Sequence, residues 1–119
     1  MLLLAGCEGM HDDDANKPVL SQESIADPHV IRHDGRYYLY GTSVPADHYD
    51  VFVSDDGLNW YKAQTVFAKD SELLWAPAVF HDPVSERFFL YYSLDFNVGV
   101  AVADTPTGPF VDEGILIED

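Results

Sequence analysis

The sequence predicts an all-β chain built from two consecutive four-stranded blades of a β-propeller. Three observations carry that expectation. Short aromatic and β-branched segments alternate with turn signals about every eight to twelve residues, the spacing of sandwiches, barrels and propellers. No amphipathic helix pattern interrupts them from Ile25 onward. The second group of segments repeats the first at an offset of 49 to 51 residues, close to the period of one four-stranded blade.

The elements follow in order. Residues 29–32 read as a first strand, closed by the turn His33-Asp34-Gly35-Arg36. Residues 37–42, with the run Tyr37-Tyr38-Leu39-Tyr40, read as the second. A loop over 44–50 leads to a third strand at 51–54, and Asp55-Asp56-Gly57 turns into a fourth at 60–66. Asp-Gly at both tight turns suits hairpins, because glycine adopts positive φ without a steric cost. The repeat then runs through the same order. Ala76-Pro77-Ala78-Val79-Phe80-His81-Asp82 answers Asp27-Pro28-His29-Val30-Ile31-Arg32-His33. Arg87-Phe88-Phe89-Leu90-Tyr91-Tyr92 answers Arg36-Tyr37-Tyr38-Leu39-Tyr40-Gly41, and Val100-Ala101-Val102-Ala103-Asp104 answers Val51-Phe52-Val53-Ser54-Asp55. A Greek-key sandwich accounts for the strands but not for this matched order of proline, turn and aromatic run.

The organisation read from this is a polar tail over 1–24 and a partial propeller over 25–119, with blade one at about 25–66 and blade two at about 75–117. Two blades cannot close a ring, since propellers use about four to eight. Repeats bury their faces only by stacking on neighbours. Blade two is therefore expected to leave one apolar face open, the mark of a fragment that is poorly soluble or self-associating when isolated.

Charge narrows the partners. Twenty-one acidic against six basic residues give a net charge of −15, which disfavours nucleic acid, whose phosphates need clustered Lys and Arg. It also disfavours docking onto an anionic lipid surface and leaves a neutral glycan as a suitable partner. No apolar run reaches the roughly 18 residues of a membrane span. The one cysteine, Cys7, excludes an internal disulfide. Leu3-Leu4-Ala5-Gly6-Cys7 resembles the bacterial lipobox, and the acidic Glu8 and Asp12-Asp13-Asp14 behind it resemble the tether of surface lipoproteins. The basic start and apolar stretch of a complete signal do not precede it. The resemblance implies lipidation at Cys7 and a place at the bacterial cell envelope, as an outer-membrane surface lipoprotein or a periplasmic or secreted protein. Any membrane association would run through that anchor.

Strand parity sorts the polar residues. In an up-and-down blade, the start of the first strand shares a face of the disc with the loop between strands two and three and with the link to the next blade. Asp27 therefore shares its face with loops 44–50 and 93–98 and with link 67–76. Asp34, Asp55, Asp56, Asp82 and Asp104 fall on the opposite face or in turns, where Asx side chains bond their own backbone. His33 and His81 share that opposite face. Asp27 differs, because the matching position in blade two is Ala76. A symmetric structural role would want the same residue twice, although a turn-capping Asp before Pro remains open. Trp75, beside the axis on the same face, could stack on a sugar ring or pack between blades. Phe96 is a second aromatic for the same task, while His48 and Tyr49 could rim a pocket but read better as solvated loop. No His/Cys/Asp cluster has metal-ligand spacing, and no phosphate loop or Ser-His-Asp arrangement is present.

Several of these runs together resemble glycoside hydrolase family 43. They are Ala26-Asp27-Pro28-His29-Val30-Ile31-Arg32, Asp34-Gly35-Arg36-Tyr37-Tyr38-Leu39-Tyr40-Gly41-Thr42-Ser43 and Ser54-Asp55-Asp56-Gly57-Leu58-Asn59-Trp60. Leu74-Trp75-Ala76-Pro77-Ala78-Val79, Phe89-Leu90-Tyr91-Tyr92-Ser93 and the stretch from Gly99 to Phe110 complete the ordered set. The resemblance implies a five-bladed propeller that hydrolyses arabinose- or xylose-containing glycans with inversion. It implies that Asp27 is the general base and that Trp75 and Phe96 line the sugar subsite. It implies a pKa-tuning Asp in the third blade and a general acid Glu in the fourth, neither of which matches a residue here. Asp119 is followed by no matching motif. No cofactor is implied, and a structural calcium on the axis of a full propeller is left open. With a base and no acid, the 119 residues alone are expected to be inactive.

Two other functions fit the same features. One is a surface glycan-binding propeller without catalysis, which would also use an acidic residue beside an aromatic platform. The other is a scaffold propeller, whose binding face would show apolar hot spots instead. Fructan-acting five-bladed propellers begin with a similar Asp, but the Trp-Ala-Pro and Thr-Gly-Pro-Phe runs favour family 43.

Overall fold

A computed structural model of the chain describes residues 23–119. Cys7 and the acidic stretch behind it lie outside the described residues. The first sheet comprises β1 (Ala26–His33), β2 (Arg36–Thr42), β3 (His48–Ser54) and β4 (Tyr61–Ala68). The second comprises β5 (Leu74–His81), β6 (Phe88–Leu94), β7 (Asn97–Ala103) and β8 (Val111–Ile117). Each sheet is antiparallel in simple chain order, and the two do not merge. Among the described residues there is no helix.

Turn chemistry sets the first hairpin as the sequence suggests, whereas the second Asp-Gly lies in a longer connection that spans residues 55–60 between β3 and β4. Asp34 and Gly35 have φ of 49° and 80°, the pair of positive values that a two-residue type I′ connection requires. Asp56 Oδ1 accepts the amides of Leu58 and Asn59, each at 2.8 Å. The Asn59 and Leu58 amides, with the Asn59 side chain, hold the Asp56 carboxyl well below the usual carboxylate range. Asp82 accepts the amides of Val84 and Ser85, both at 3.2 Å. These aspartates serve their own turns.

The third strand corrects one expectation. It starts at His48 and takes in the last three residues of the segment read as loop 44–50. Tyr49 is fully buried, and its ring stacks on Phe67 with centroids 6.2 Å apart. Asp50 is also buried, but its carboxylate accepts from Thr65 Oγ1 at 2.6 Å. A polar residue can be hidden in a strand when such a partner is supplied.

The two sheets share one core. Tyr38, Tyr40, Val51, Val53 and Val66 of the first join Val79, Phe88, Leu90, Tyr92, Ala101, Ala103 and Phe110 around the second. β1 and β2 pack on β5, so the leading strands of the two sheets adjoin and the sheets fan outward from them. Polar ties cross the same seam. The Phe110 amide donates to Val66 O at 2.8 Å, and His29 Nε2–H donates to Val79 O at 3.0 Å. The buried Tyr40 hydroxyl donates to Pro106 O at 2.5 Å, and burial pushes that phenol well up, so the proton stays in place. His33 and His81, at the ends of β1 and β5, meet ring to ring at 4.6 Å. On the other side of the second sheet, Phe80 and Tyr91 stay 55% and 39% exposed. In a closed ring a neighbouring blade covers such a face.

One glycine reports on how tightly this core is filled. A Cβ at Gly99 would lie 2.2 Å from Tyr92 Cζ. Tyr92 cannot swing away freely, because it is 2% exposed and donates to Asp112 Oδ1 at 2.7 Å. Gly99→Ala is expected to destabilise by about 1–3 kcal/mol, as overpacking does. The urea midpoint of the full-length chain measures this, and an unchanged midpoint would contradict the packing described.

Candidate active site

Asp27 stands at the second position of β1, where a bulge between Ala26 and His29 breaks the register with β2. Its φ is 51°, a left-handed value for a residue that also precedes proline. Such backbone is strained, because a residue before proline is steered toward extended conformations. Ala76 has the same distortion, with φ of 45° and a bulge between Trp75 and Ala78 in β5. The strain is therefore a feature of the blade and is not peculiar to the carboxylate. Bulges re-aim side chains, and only in the first sheet does the re-aimed position carry an acid.

The two bulges are tied through one hydroxyl. The Ala76 amide donates to Thr42 Oγ1 at 2.7 Å, and Thr42 Oγ1 donates to Asp27 Oδ2 at 2.9 Å. Thr42 is the last residue of β2 and is 7% exposed, whereas Asp27 is exposed. One oxygen of Asp27 is thus fixed by the protein, and the residue remains open to solvent.

Trp75, next to Ala76, is half-buried at the start of β5. Its carbonyl accepts the Tyr49 hydroxyl at 2.8 Å. Burial pushes the Tyr49 phenol well up, with Tyr92 and Asp27 nearby adding to the effect, so Tyr49 acts as a donor. Phe96 meets the Trp75 ring edge to face with centroids 5.6 Å apart. The segment read as loop 93–98 is in fact a two-residue turn, with Asp95 and Phe96 at φ of 52° and 72°. Asp suits such a turn, but a bulky aromatic there is an outlier. Phe96 is also 61% exposed. A strained, exposed aromatic set against Trp75 makes a surface on which a flat apolar ring face could rest.

The structure thus brings Asp27, Trp75 and Phe96 into one neighbourhood through Thr42 and Ala76. His48 and Tyr49 are not the solvated loop that the sequence suggests. Tyr49 lies beneath Trp75, and half-buried His48 sits between Asp47 Oδ1, 2.6 Å from Nδ1, and Asp50 Oδ2, 3.4 Å from Nε2. Sequence reasoning missed Thr42 and favoured solvated loop over pocket rim for Tyr49. For Thr42 a signal existed, because the repeat sets a second hydroxyl, Ser93, at the matching place. Among the described residues no group of three or more His, Cys, Asp or Glu side chains is placed to hold a metal ion.

Comparison with known proteins gives the family of the chain. The sequence model of glycosyl hydrolases family 43 matches residues 15–119. The chain is 29% identical over 129 aligned residues to an arabinoxylan arabinofuranohydrolase of Paenibacillus polymyxa, covering 82% of this chain and 20% of that protein. It is 26% identical to an extracellular endo-α-(1→5)-L-arabinanase of Bacillus subtilis, covering 87% of this chain and 26% of the relative. A solved endo-1,4-β-xylanase of Bacteroides thetaiotaomicron superposes with a TM-score of 0.68 at 33% identity, over 80% of this chain and 35% of that one. A β-xylosidase/α-arabinofuranosidase from a compost metagenome, solved with xylotriose, superposes with a TM-score of 0.72 at 23% identity, over 82% of this chain and 36% of that one. The chain spans about a quarter or less of the curated relatives' length. The two sheets are two blades of a five-bladed propeller, and the chain belongs to glycosyl hydrolase family 43.

Proposed function

We propose that these blades serve an inverting glycoside hydrolase acting on arabinose- or xylose-containing plant polysaccharides, with Asp27 as general base. One observation carries the reading. Two equivalent positions share the same bulge and left-handed backbone, and only one carries a carboxylate, beside an aromatic pair. The relatives named above act on arabinoxylan, arabinan and xylan-type substrates by their names, which favours those sugars.

The chemistry follows from inversion. Asp27 would take a proton from a water on one side of the sugar ring as that water attacks the anomeric carbon. A carboxylic acid on the other side would give its proton to the departing glycosidic oxygen. The two carboxyl groups must stand about 6.5–9.5 Å apart to admit the water. Trp75 and Phe96 would hold the ring by stacking. The acid is not assigned to any residue of this sequence, so residues 1–119 alone should not turn over glycosides. The proposal extends to Cys7, which lies outside the described residues, as a lipid attachment point at the bacterial cell envelope.

Product stereochemistry tests the reaction class. Proton NMR of the first product released from an arabinofuranoside or xyloside by the full-length protein should show the anomer opposite to that of the substrate. A first product of unchanged configuration would overturn inversion. Tight glycan binding without any turnover would instead favour the non-catalytic surface propeller.

A further inference from the structure

We infer that Thr42 is a positioning residue that orients the Asp27 carboxylate and ties that orientation to the docking of the two blades. The inference rests on the reading of Asp27 as general base. A threonine hydroxyl has one proton and two lone pairs. Here the Ala76 amide occupies a lone pair at 2.7 Å, and an amide can only donate. The hydroxyl proton is then free to go to Asp27 Oδ2, 2.9 Å away. The direction of the chain is fixed: amide to hydroxyl to carboxylate. The hydroxyl bond to the carboxylate is a single directed contact. It holds Oδ2 and leaves Oδ1 to meet the water.

The geometry of the seam makes this specific. The Ala76 amide is available because the β5 bulge interrupts its pairing with β6. Thr42 is nearly buried at the end of β2, and its neighbour Gly41 permits the close approach of Ile25 and Ala26. A Cβ at Gly41 would lie 2.2 Å from Ile25 Cγ2 and 2.9 Å from Ala26 O. The segment that carries Asp27 is therefore pressed against the end of β2, and a shift of blade two would move the amide that polarises Thr42. A misplacement of about 1 Å can cost on the order of 100-fold in rate.

The test compares Thr42→Val, which keeps the shape and loses the hydroxyl, with Thr42→Ser, which keeps the hydroxyl. Both are made in the full-length enzyme, with Asp27→Asn as control. Thr42→Val should lower kcat about 10- to 100-fold with KM within about threefold of wild type. Thr42→Ser should restore kcat to within about threefold of wild type. A merely structural Thr42 would lower the thermal midpoint without this split between kcat and KM. If Thr42→Val does not fold, Thr42→Cys, a weaker donor of similar size, replaces it with the same expectation. Wild-type kcat in the valine or cysteine variant, with Asp27→Asn inactive, overturns the positioning role and leaves the base intact. Full activity in Asp27→Asn overturns the base, and the inference falls with it.

Discussion

Asp27→Asn is expected to lower kcat by about 10²–10⁴-fold, the usual contribution of a general base, while the thermal midpoint stays close to that of wild type. Asparagine keeps the shape of the side chain and retains an oxygen that can accept the Thr42 hydroxyl, now 2.9 Å from Oδ2. It cannot take a proton from water. The bulge and left-handed backbone should persist, because Ala76 adopts them without a carboxylate. Asparagine tolerates positive φ about as readily as aspartate. The loss should therefore lie in chemistry and leave folding and sugar stacking on Trp75 and Phe96 largely unchanged. Hydrolysis of an aryl arabinoside or xyloside by the full-length protein measures it. Activity within about threefold of wild type would remove Asp27 from its role.

Leu90→Ala is expected to have the largest effect on stability, about 2–5 kcal/mol. Leu90 is fully buried at the centre of the shared core, on the face of β6 that also presents Phe88 and Tyr92. Truncation removes transfer free energy and leaves a cavity that the flanking aromatic rings cannot fill without leaving their own contacts. Domains are stable by only about 5–15 kcal/mol, so one such cavity is a large fraction of the total. Val84→Ala is the control, since Val84 is 90% exposed in the turn after β5, and surface changes of that kind usually stay within about 0.5 kcal/mol. Urea midpoints of the two variants in the full-length chain would separate them. Equal midpoints would mean that the blades do not share the core described.

The fold was legible because a blade repeats. Two copies of one pattern offset by 49 to 51 residues expose strands that a single copy would leave ambiguous. The aspartate turns were legible because Asx chemistry is local. Asp27 was legible for the opposite reason, as the place where the copies differ. Thr42 left only the faint signal of the matching hydroxyl at Ser93, because its contact is with an amide 34 residues away that reaches it only when the sheets dock. Tyr49 was misread because it lies among Asp47, His48 and Asp50, a polar run that looks like loop. Asp50 is hidden by partners on β4, Thr65 at 2.6 Å and Lys62 at 3.6 Å, and neither is visible as a pair in sequence. The tight turn at Asp95 and Phe96 was overestimated in length because an aromatic with positive φ is rarely tolerated there.

The most direct test of the central claim is a crystal structure of the full-length Asp27→Asn protein with an arabino- or xylo-oligosaccharide bound. A sugar ring should lie against Trp75 and Phe96, with a water held by residue 27 below the anomeric carbon. A carbohydrate bound elsewhere, or residue 27 turned away from the anomeric carbon, would contradict it.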